Sequence, residues 1–330
     1  MRLLLFTQVV DSTDPILGFF HRWIEVLAVR TEHITVICLK EGVHTLPKNV
    51  QVLSLGKETK PSRLSYVWLF YKYLFYLRGT YDVVFVHMNQ EYVLLGAPWW
   101  KLARTPLYLW RNHYAGTWLT RLAGHLCTKV FYTSRASFTA QFPHAVQMPV
   151  GVDLARFTAK ATVTRVPRSI LMLGRIAPSK RVDVFIEALG LLAKEGELFT
   201  ASIYGPVRSG DEPYHDALTA RIQALRLSQV RLEGSVTHEE AARVYRAHQV
   251  FVNLSQPGMY DKTMFEAAAS GCAVISANPE SPFRHTEPTA ENCARALKQS
   301  LAEESGKDMA VAFENDLEKL GDRLVEEMKV

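Results

Sequence analysis

Arg175 and Lys180 stand five residues apart in the run Arg168-Ser-Ile-Leu-Met-Leu-Gly174-Arg175-Ile-Ala-Pro-Ser-Lys180-Arg-Val-Asp183. Residues 168–173 have the length and apolar content of a buried strand, and Gly174 permits a tight turn after it. A helix is predicted from about Ser179 to Lys194, so the two cations flank its start. Two cations and the free N–H groups of a helix N-terminus, aimed at one small volume, suit a diphosphate-like anion. A surface turn carrying two solvated cations is the other reading of these residues taken alone.

Three later segments continue the theme. Strand 200–205 ends in Tyr204-Gly205-Pro206, a second tight turn. Strand 229–233 runs into Gly234-Ser235-Val236 and then a helix, a place where main-chain groups could read the edge of a base. Strand 249–253 ends in Asn253-Leu254-Ser255, and a Gly-bearing loop then leads into a helix with Glu266 in its first turns. Set at one sheet edge with Arg175 and Lys180, Glu266 is a candidate acceptor for ribose hydroxyls. As an isolated residue it would be an ordinary helix carboxylate.

The elements that must position these residues are short apolar strands alternating with amphipathic helices. Strands are predicted at 2–8, 33–39, 50–54, 82–87, 106–110, 128–133, 168–173, 200–205, 229–233, 249–253 and 272–275. Helices are predicted at 17–30, 90–103, 180–194, 211–225 and 237–247, among others. Repeated βα units imply parallel sheets covered on both faces. The pattern weakens over 155–167, which reads as an interdomain linker. The expected α/β architecture is therefore two doubly wound, Rossmann-like domains, 1–155 and 168–310, facing across a cleft. Residues 311–330 form a C-terminal helix that could pack back on the first domain. Ligands in such sheets sit at the carboxyl ends of the strands.

The chain has 330 residues, enough for two cores. Residues 1–160 carry 18 Lys and Arg against 9 Asp and Glu, a balance of +9, whereas 161–330 carry 20 against 24, or −4. All six tryptophans lie in the first half. A basic, Trp-rich half joined to an acidic one implies different partners for the two. Cys38, Cys127, Cys272 and Cys293 show no paired metal spacing and read as free thiols of a reducing compartment. There is no secretory pattern at Met1 and no stretch of roughly 20 apolar residues, so a cytoplasmic or membrane-peripheral protein is expected. The first βα turn offers only Gly18, without the dinucleotide fingerprint, and no P-loop occurs. No Asp-x-Asp pair could hold a metal against a diphosphate, so no metal and no cofactor are expected and the protein must meet the anion's charge itself.

At this point the chain resembles the retaining glycosyltransferases of family 4, which have the GT-B fold. Gly174-Arg175…Ser179-Lys180-Arg181-Val182-Asp183 is similar to the family's Gly-Arg…Lys-Gly donor-diphosphate motif. Pro149-Val150-Gly151-Val152-Asp153…Arg156-Phe157 is similar to its Pro-Asn-Gly-Val-Asp…Arg-Phe hinge segment, with Val150 in place of Asn. Glu266-Ala-Ala-Ala-Ser-Gly271-Cys-Ala-Val-Ile is similar to its Glu-Ala-Met-Ala-x-Gly-x-Pro-Val-Ile segment. The resemblance implies that Arg175 and Lys180 hold the donor diphosphate, that Glu266 meets the ribose, and that Gly174, Gly205, Ser235 and Val236 shape the donor site. The family's second Glu, eight positions earlier, corresponds to Gly258. Asp261 and Lys262 stand where Gly and Leu are usual, which makes Asp261 a candidate for sugar recognition and Lys262 a third cation beside the diphosphate.

In the first half the resemblance points to a histidine after a strand, matched by Leu107-Tyr-Leu-Trp-Arg111-Asn112-His113, with His113 facing the donor sugar. His87 is a weaker candidate by the same placement, and Gly18 and His21 lie where the family has a loop near acceptor and phosphate. Residues 61–78 hold seven aromatics between Tyr66 and Tyr76, with Arg63, Lys72 and Arg78 as the only charges. Such a helix needs a second apolar neighbour, either another helix or a membrane surface. The expected activity is metal-independent, retaining transfer of a sugar from a nucleoside diphosphate to an acceptor hydroxyl, in cell-surface glycan or glycolipid synthesis. The expected partners are a nucleotide-sugar donor, a glycan or lipid-linked acceptor and an anionic membrane surface at its inner face, without nucleic acid. The alternatives are a non-catalytic nucleotide-sugar or membrane-surface binding protein, for which Gly258 speaks, and a sugar-nucleotide epimerase of the same fold.

Overall fold

The computed structural model describes residues 1–14, 17–59, 62–158, 163–255 and 260–329. The chain divides into two compact units, Met1–Gly151 with Leu317–Val330, and Val152–Asp316.

Unit 1 contains β1 (Arg2–Val10), α1 (Phe19–Ala28), β2 (His33–Glu41), β3 (Val50–Ser54), α2 (Arg63–Tyr76), β4 (Val83–His87), α3 (Gln90–Leu102), β5 (Leu107–Trp110), α4 (Trp118–Leu126), β6 (Lys129–Tyr132) and β7 (Ala145–Gln147). These strands form one parallel sheet in the order β3-β2-β1-β4-β5-β6-β7. Side chains alternate across each strand. Leu3, Leu5 and Phe85 therefore meet α1, whereas Leu4, Phe6 and Val86 meet α2, α3 and α4. Both faces are covered, so the middles of the central strands, Leu3–Phe6 and Val83–Val86, are continuously apolar.

Unit 2 runs through α5 (Leu154–Phe157), β8 (Ser169–Leu173), α6 (Val182–Lys194), β9 (Thr200–Tyr204), α7 (Glu212–Ala224), β10 (Val230–Gly234), α8 (His238–Ala247), β11 (Val250–Asn253), α9 (Lys262–Ala269), β12 (Ala273–Ser276), β13 (Arg284–His285), α10 (Ala290–Leu301) and α11 (Met309–Glu314). Its parallel sheet has the order β10-β9-β8-β11-β12-β13, with the strand order reversing between β8 and β11. Such a reversal opens a crevice at the carboxyl ends of the two strands. The chain then returns to unit 1 as α12 (Leu317–Met328), whose Leu320, Leu324 and Met328 are buried in the α1 core.

Three expectations change. The boundary falls at Gly151 and not at 155. The described part of 155–167 is built into unit 2, where Phe157 is buried and Arg165 donates to the carbonyls of Ser270, at 2.7 Å, and of His248. The segment after 310 is also two helices, α11 in unit 2 and α12 in unit 1. Among the described residues no helix is long and apolar enough to cross a membrane.

Candidate functional site

The turn after β8 is held against its neighbours by main-chain bonds. Gly174 N–H donates to the Tyr204 carbonyl at 2.9 Å, and Gly205 N–H to the Gly234 carbonyl at 2.7 Å. A Cβ on Gly205 would stand 1.7 Å from the Gly174 carbonyl oxygen, so only glycine fits where the two turns meet. Gly174, Arg175 and Lys180 line a pocket with Asn253, Leu254 and Ser255 from the end of β11. The pocket therefore lies where the strand order of unit 2 reverses.

Lys180 is locked in place. Its Nζ donates to Asp261 Oδ2 at 2.5 Å and to Ser255 Oγ at 3.0 Å. Asn253 Nδ2 donates to the same carboxylate oxygen at 3.0 Å, while Oδ1 accepts the N–H and hydroxyl of Thr263 at 3.2 and 2.8 Å. Asp261 is thus also the N-cap of α9. Burial pushes its carboxyl up, but the Lys180 ammonium and these donors outweigh that and bring it down to about 2. Arg175, in contrast, is exposed and makes no ion pair among the described residues. The pocket thus pairs one fixed cation with one that can reach out.

The helix start differs from expectation. Pro178–Lys180 is a short 3-10 turn, Arg181 adopts a left-handed φ of 53°, and α6 begins only at Val182. One of its first N–H groups, on Asp183, already donates to Tyr214 Oη at 3.2 Å, and that hydroxyl donates to Asp183 Oδ1 at 2.7 Å. Charge on an anion here falls chiefly to the two side chains.

Glu266 is buried, 4% exposed, and its Oε2 accepts the Tyr245 hydroxyl at 3.4 Å. Burial raises its carboxyl to about 7; Lys262, one turn earlier on α9, opposes the rise and Asp261 adds to it. The same burial lowers the Lys262 ammonium. Glu266 is not among the residues lining the Arg175 pocket; it lies one helical turn deeper along α9. Ser235, exposed, and Val236 follow β10 and are not in that lining either. Gly258 lies outside the described residues.

In unit 1, His113 is exposed beyond β5; its Nδ1 accepts the Ala115 N–H at 3.0 Å, and its ring stacks on Tyr114 at 4.7 Å. Gly18 precedes α1, where a Cβ would come within 2.5 Å of the Asp14 carbonyl oxygen. His21 Nε2 accepts the Thr45 N–H at 3.2 Å and Nδ1 stands 3.3 Å from Glu25, while burial lowers its pKa. His87 is a correction: it is 2% exposed, stacked on Phe20 at 3.8 Å and 3.2 Å from Thr7 Oγ1, which makes it a core histidine. Asn253 and Ser255 were not singled out as site residues from the sequence, although the strand end carrying them was marked. Tyr245 gave no signal, since only the folded chain brings α8 against Glu266.

Residues 167–303 match the family model described as Glycosyl transferases group 1. Over 143 residues the chain is 29% identical to the UDP-N-acetylglucosamine–peptide N-acetylglucosaminyltransferase GtfA subunit of Streptococcus pneumoniae serotype 4, covering 42% of this chain and 26% of that one. Over 125 residues it is 30% identical to the 2-deoxystreptamine N-acetyl-D-glucosaminyltransferase of Niallia circulans, covering 36% and 31%. The matches thus span between a quarter and a third of these relatives. Among solved structures, Anabaena HepE in complex with UDP superposes with a TM-score of 0.78 at 18% identity, covering 99% of each chain. Sucrose-phosphate synthase from Thermosynechococcus elongatus does so at 0.78 and 15%, covering 99% and 98%. At these identities the likeness is one of fold. The segment that builds the cationic turn is therefore similar to the glycosyl transferases group 1, and the chain that carries it has the GT-B fold.

Proposed function

We propose that this chain is a metal-independent, retaining glycosyltransferase that moves a sugar from a nucleoside-diphosphate donor to an acceptor hydroxyl. The observation that carries the reading is the placement of Arg175 and Lys180 in one pocket at the β8/β11 reversal. The bond between the anomeric carbon and the diphosphate oxygen breaks, its electron pair leaving with the diphosphate. The acceptor oxygen bonds to the same face of that carbon, and its proton passes to the departing phosphate oxygen. Arg175 and Lys180 oppose the charge that builds on the leaving group, a contribution of about 3 kcal/mol for one preorganised contact. Glu266 is assigned to the ribose, Ser235 and Val236 to the base, and Asp261 and Lys262 to the sugar and diphosphate side. In unit 1, His113 is assigned to the transferred sugar, and Gly18 and His21 to the acceptor. UDP-sugars head the donor panel because HepE was solved with UDP and the GtfA subunit is named for a UDP-sugar. The proposed acceptor is a glycan or lipid-linked molecule of cell-surface glycan or glycolipid synthesis, met at the inner face of the membrane.

The test is Arg175→Ala assayed with a panel of UDP-, GDP- and ADP-sugars. Turnover is expected to fall by about a hundredfold, with thermal melting unchanged because Arg175 is exposed. A near-normal rate removes the site. Chelators should leave the rate unchanged, and NMR of the product should show the donor's anomeric configuration retained.

A further inference from the structure

Helix α2 is apolar on two sides. Phe70 and Leu74 are buried in the core of unit 1, yet Leu64, Trp68, Tyr71 and Phe75 are exposed, Trp68 by 63% and Phe75 by 54%. Their spacing of four, three and four residues puts them on one outward stripe. Tyr71 Oη donates to the Leu95 carbonyl of α3 at 3.1 Å, so α2 and α3 are neighbours in one layer. Both run antiparallel to the strands, so their carboxyl ends share one edge of that layer. Trp100 Nε1, donating to Tyr81 Oη at 3.2 Å, ties the end of α3 to the chain just beyond α2. At that edge Leu102 is 87% exposed, between exposed Lys101 and Arg104.

The charges on α2, α3 and the turns that follow them are mostly basic: Lys72, Arg78, Lys101 and Arg104 stand against Asp82 and Glu91, the latter exposed in the first turn of α3. Asp82 is taken by Arg2 at 2.7 Å. Lys72 Nζ lies 5.0 Å from the centre of the Trp68 ring, and the Arg78 guanidinium lies 4.1 Å from that of Phe75. Aromatic side chains with cations lying on them match the boundary between acyl chains and anionic headgroups, where Trp and Tyr concentrate and Lys and Arg gain attraction.

We propose that the outer surface of the α2–α3 layer docks unit 1 onto an anionic lipid bilayer. This rests on the proposed membrane-side function, but its readout needs neither donor nor acceptor. The intact chain is sedimented with phosphatidylcholine vesicles, with and without about one third phosphatidylglycerol. Recovery is expected only with the anionic lipid and should fall with added salt. Lys101→Gln with Arg104→Gln should weaken vesicle affinity by about fivefold per charge. Trp68→Ser with Phe75→Ser should abolish recovery with melting unchanged, and the charge pair gives an independent answer if that variant melts early. Equal recovery of wild type and both paired variants overturns the proposal. So does equal recovery on both vesicle types, or a concentration-dependent dimer, without lipid, that the same substitutions abolish. Loss of vesicle binding with normal sugar transfer leaves the enzymatic reading intact, and the converse holds.

Discussion

Arg175 and Lys180 are both cations of one pocket, but they differ in what surrounds them, and that separates their variants. Removing the Lys180 ammonium leaves Asp261 ionised with only Asn253 and Thr263 as donors, in a place where each partner of the pair is about one fifth exposed. Lys180→Ala should therefore cost about 1–3 kcal/mol of stability besides activity, whereas Arg175→Ala should cost activity alone. Denaturant midpoints of the two variants check this; equal midpoints would show that the Asp261 pairing contributes nothing. Glu266 gives a pH signature. Its folded-state pKa, about 7, stands above the ordinary 4.5, so the folded chain binds more protons than the unfolded one between those values. That part of the stability is full below about 4.5 and is lost as pH rises through about 7. Glu266→Gln should flatten the slope of urea midpoint against pH in that window. Because the ionised form offers both oxygens as charged, stronger acceptors to the ribose hydroxyls, affinity for UDP-glucose should tighten across the same window in wild type and stay level in the variant.

The turns that carry these residues depend on one close approach. Gly205 meets the Gly174 carbonyl so tightly that Gly205→Ala must push β9 and its turn away from β8. Overpacking of this kind costs about 1–3 kcal/mol, and because the Gly174 turn against which the new Cβ presses lines the pocket, donor binding should fall further than stability does. Thermal melting with and without UDP-glucose separates the two losses. The strands that position these turns were legible in the sequence, since β8 and β11 are short apolar runs bounded by turn residues, as buried parallel strands are. β7 and β13, three and two residues long, carry too few side chains for a pattern. The start of α6 was misplaced because nothing local marks Arg181 as left-handed. The cationic turn was visible as Gly174, Arg175 and Lys180, but the Lys180–Asp261 pair joins residues 81 positions apart and exists only once β8 and β11 lie side by side. His87 stood at a strand's carboxyl end like a ligand residue, and only packing against Phe20 shows it to be core.

The chain leaves unit 1 after Gly151, builds unit 2, and returns at Leu317. Unit 1 is thus completed by residues from beyond unit 2, and α12 is part of its core. Leu320, Leu324 and Met328 are buried with Trp23 and Leu27, and Gly321 lies so close to α1 that a Cβ would come within 2.5 Å of Val26. Ion pairs of Arg22 and Arg30 with Glu318 and of Lys129 with Glu327 fix the register, though exposed pairs of this kind contribute little. The energy lies in the apolar contact: Leu320→Ala should cost about 2–5 kcal/mol. Because unit 2 has its own core, that loss should fall on unit 1 alone. Calorimetry should then show two transitions, one lowered by several degrees in Leu320→Ala and the other unmoved, with the unmoved transition still raised by added UDP, since ligand stabilises the unit that binds it. A single transition shifting as a whole would mean that the two units unfold together, and a UDP shift confined to the lowered transition would place the nucleotide in the wrong unit.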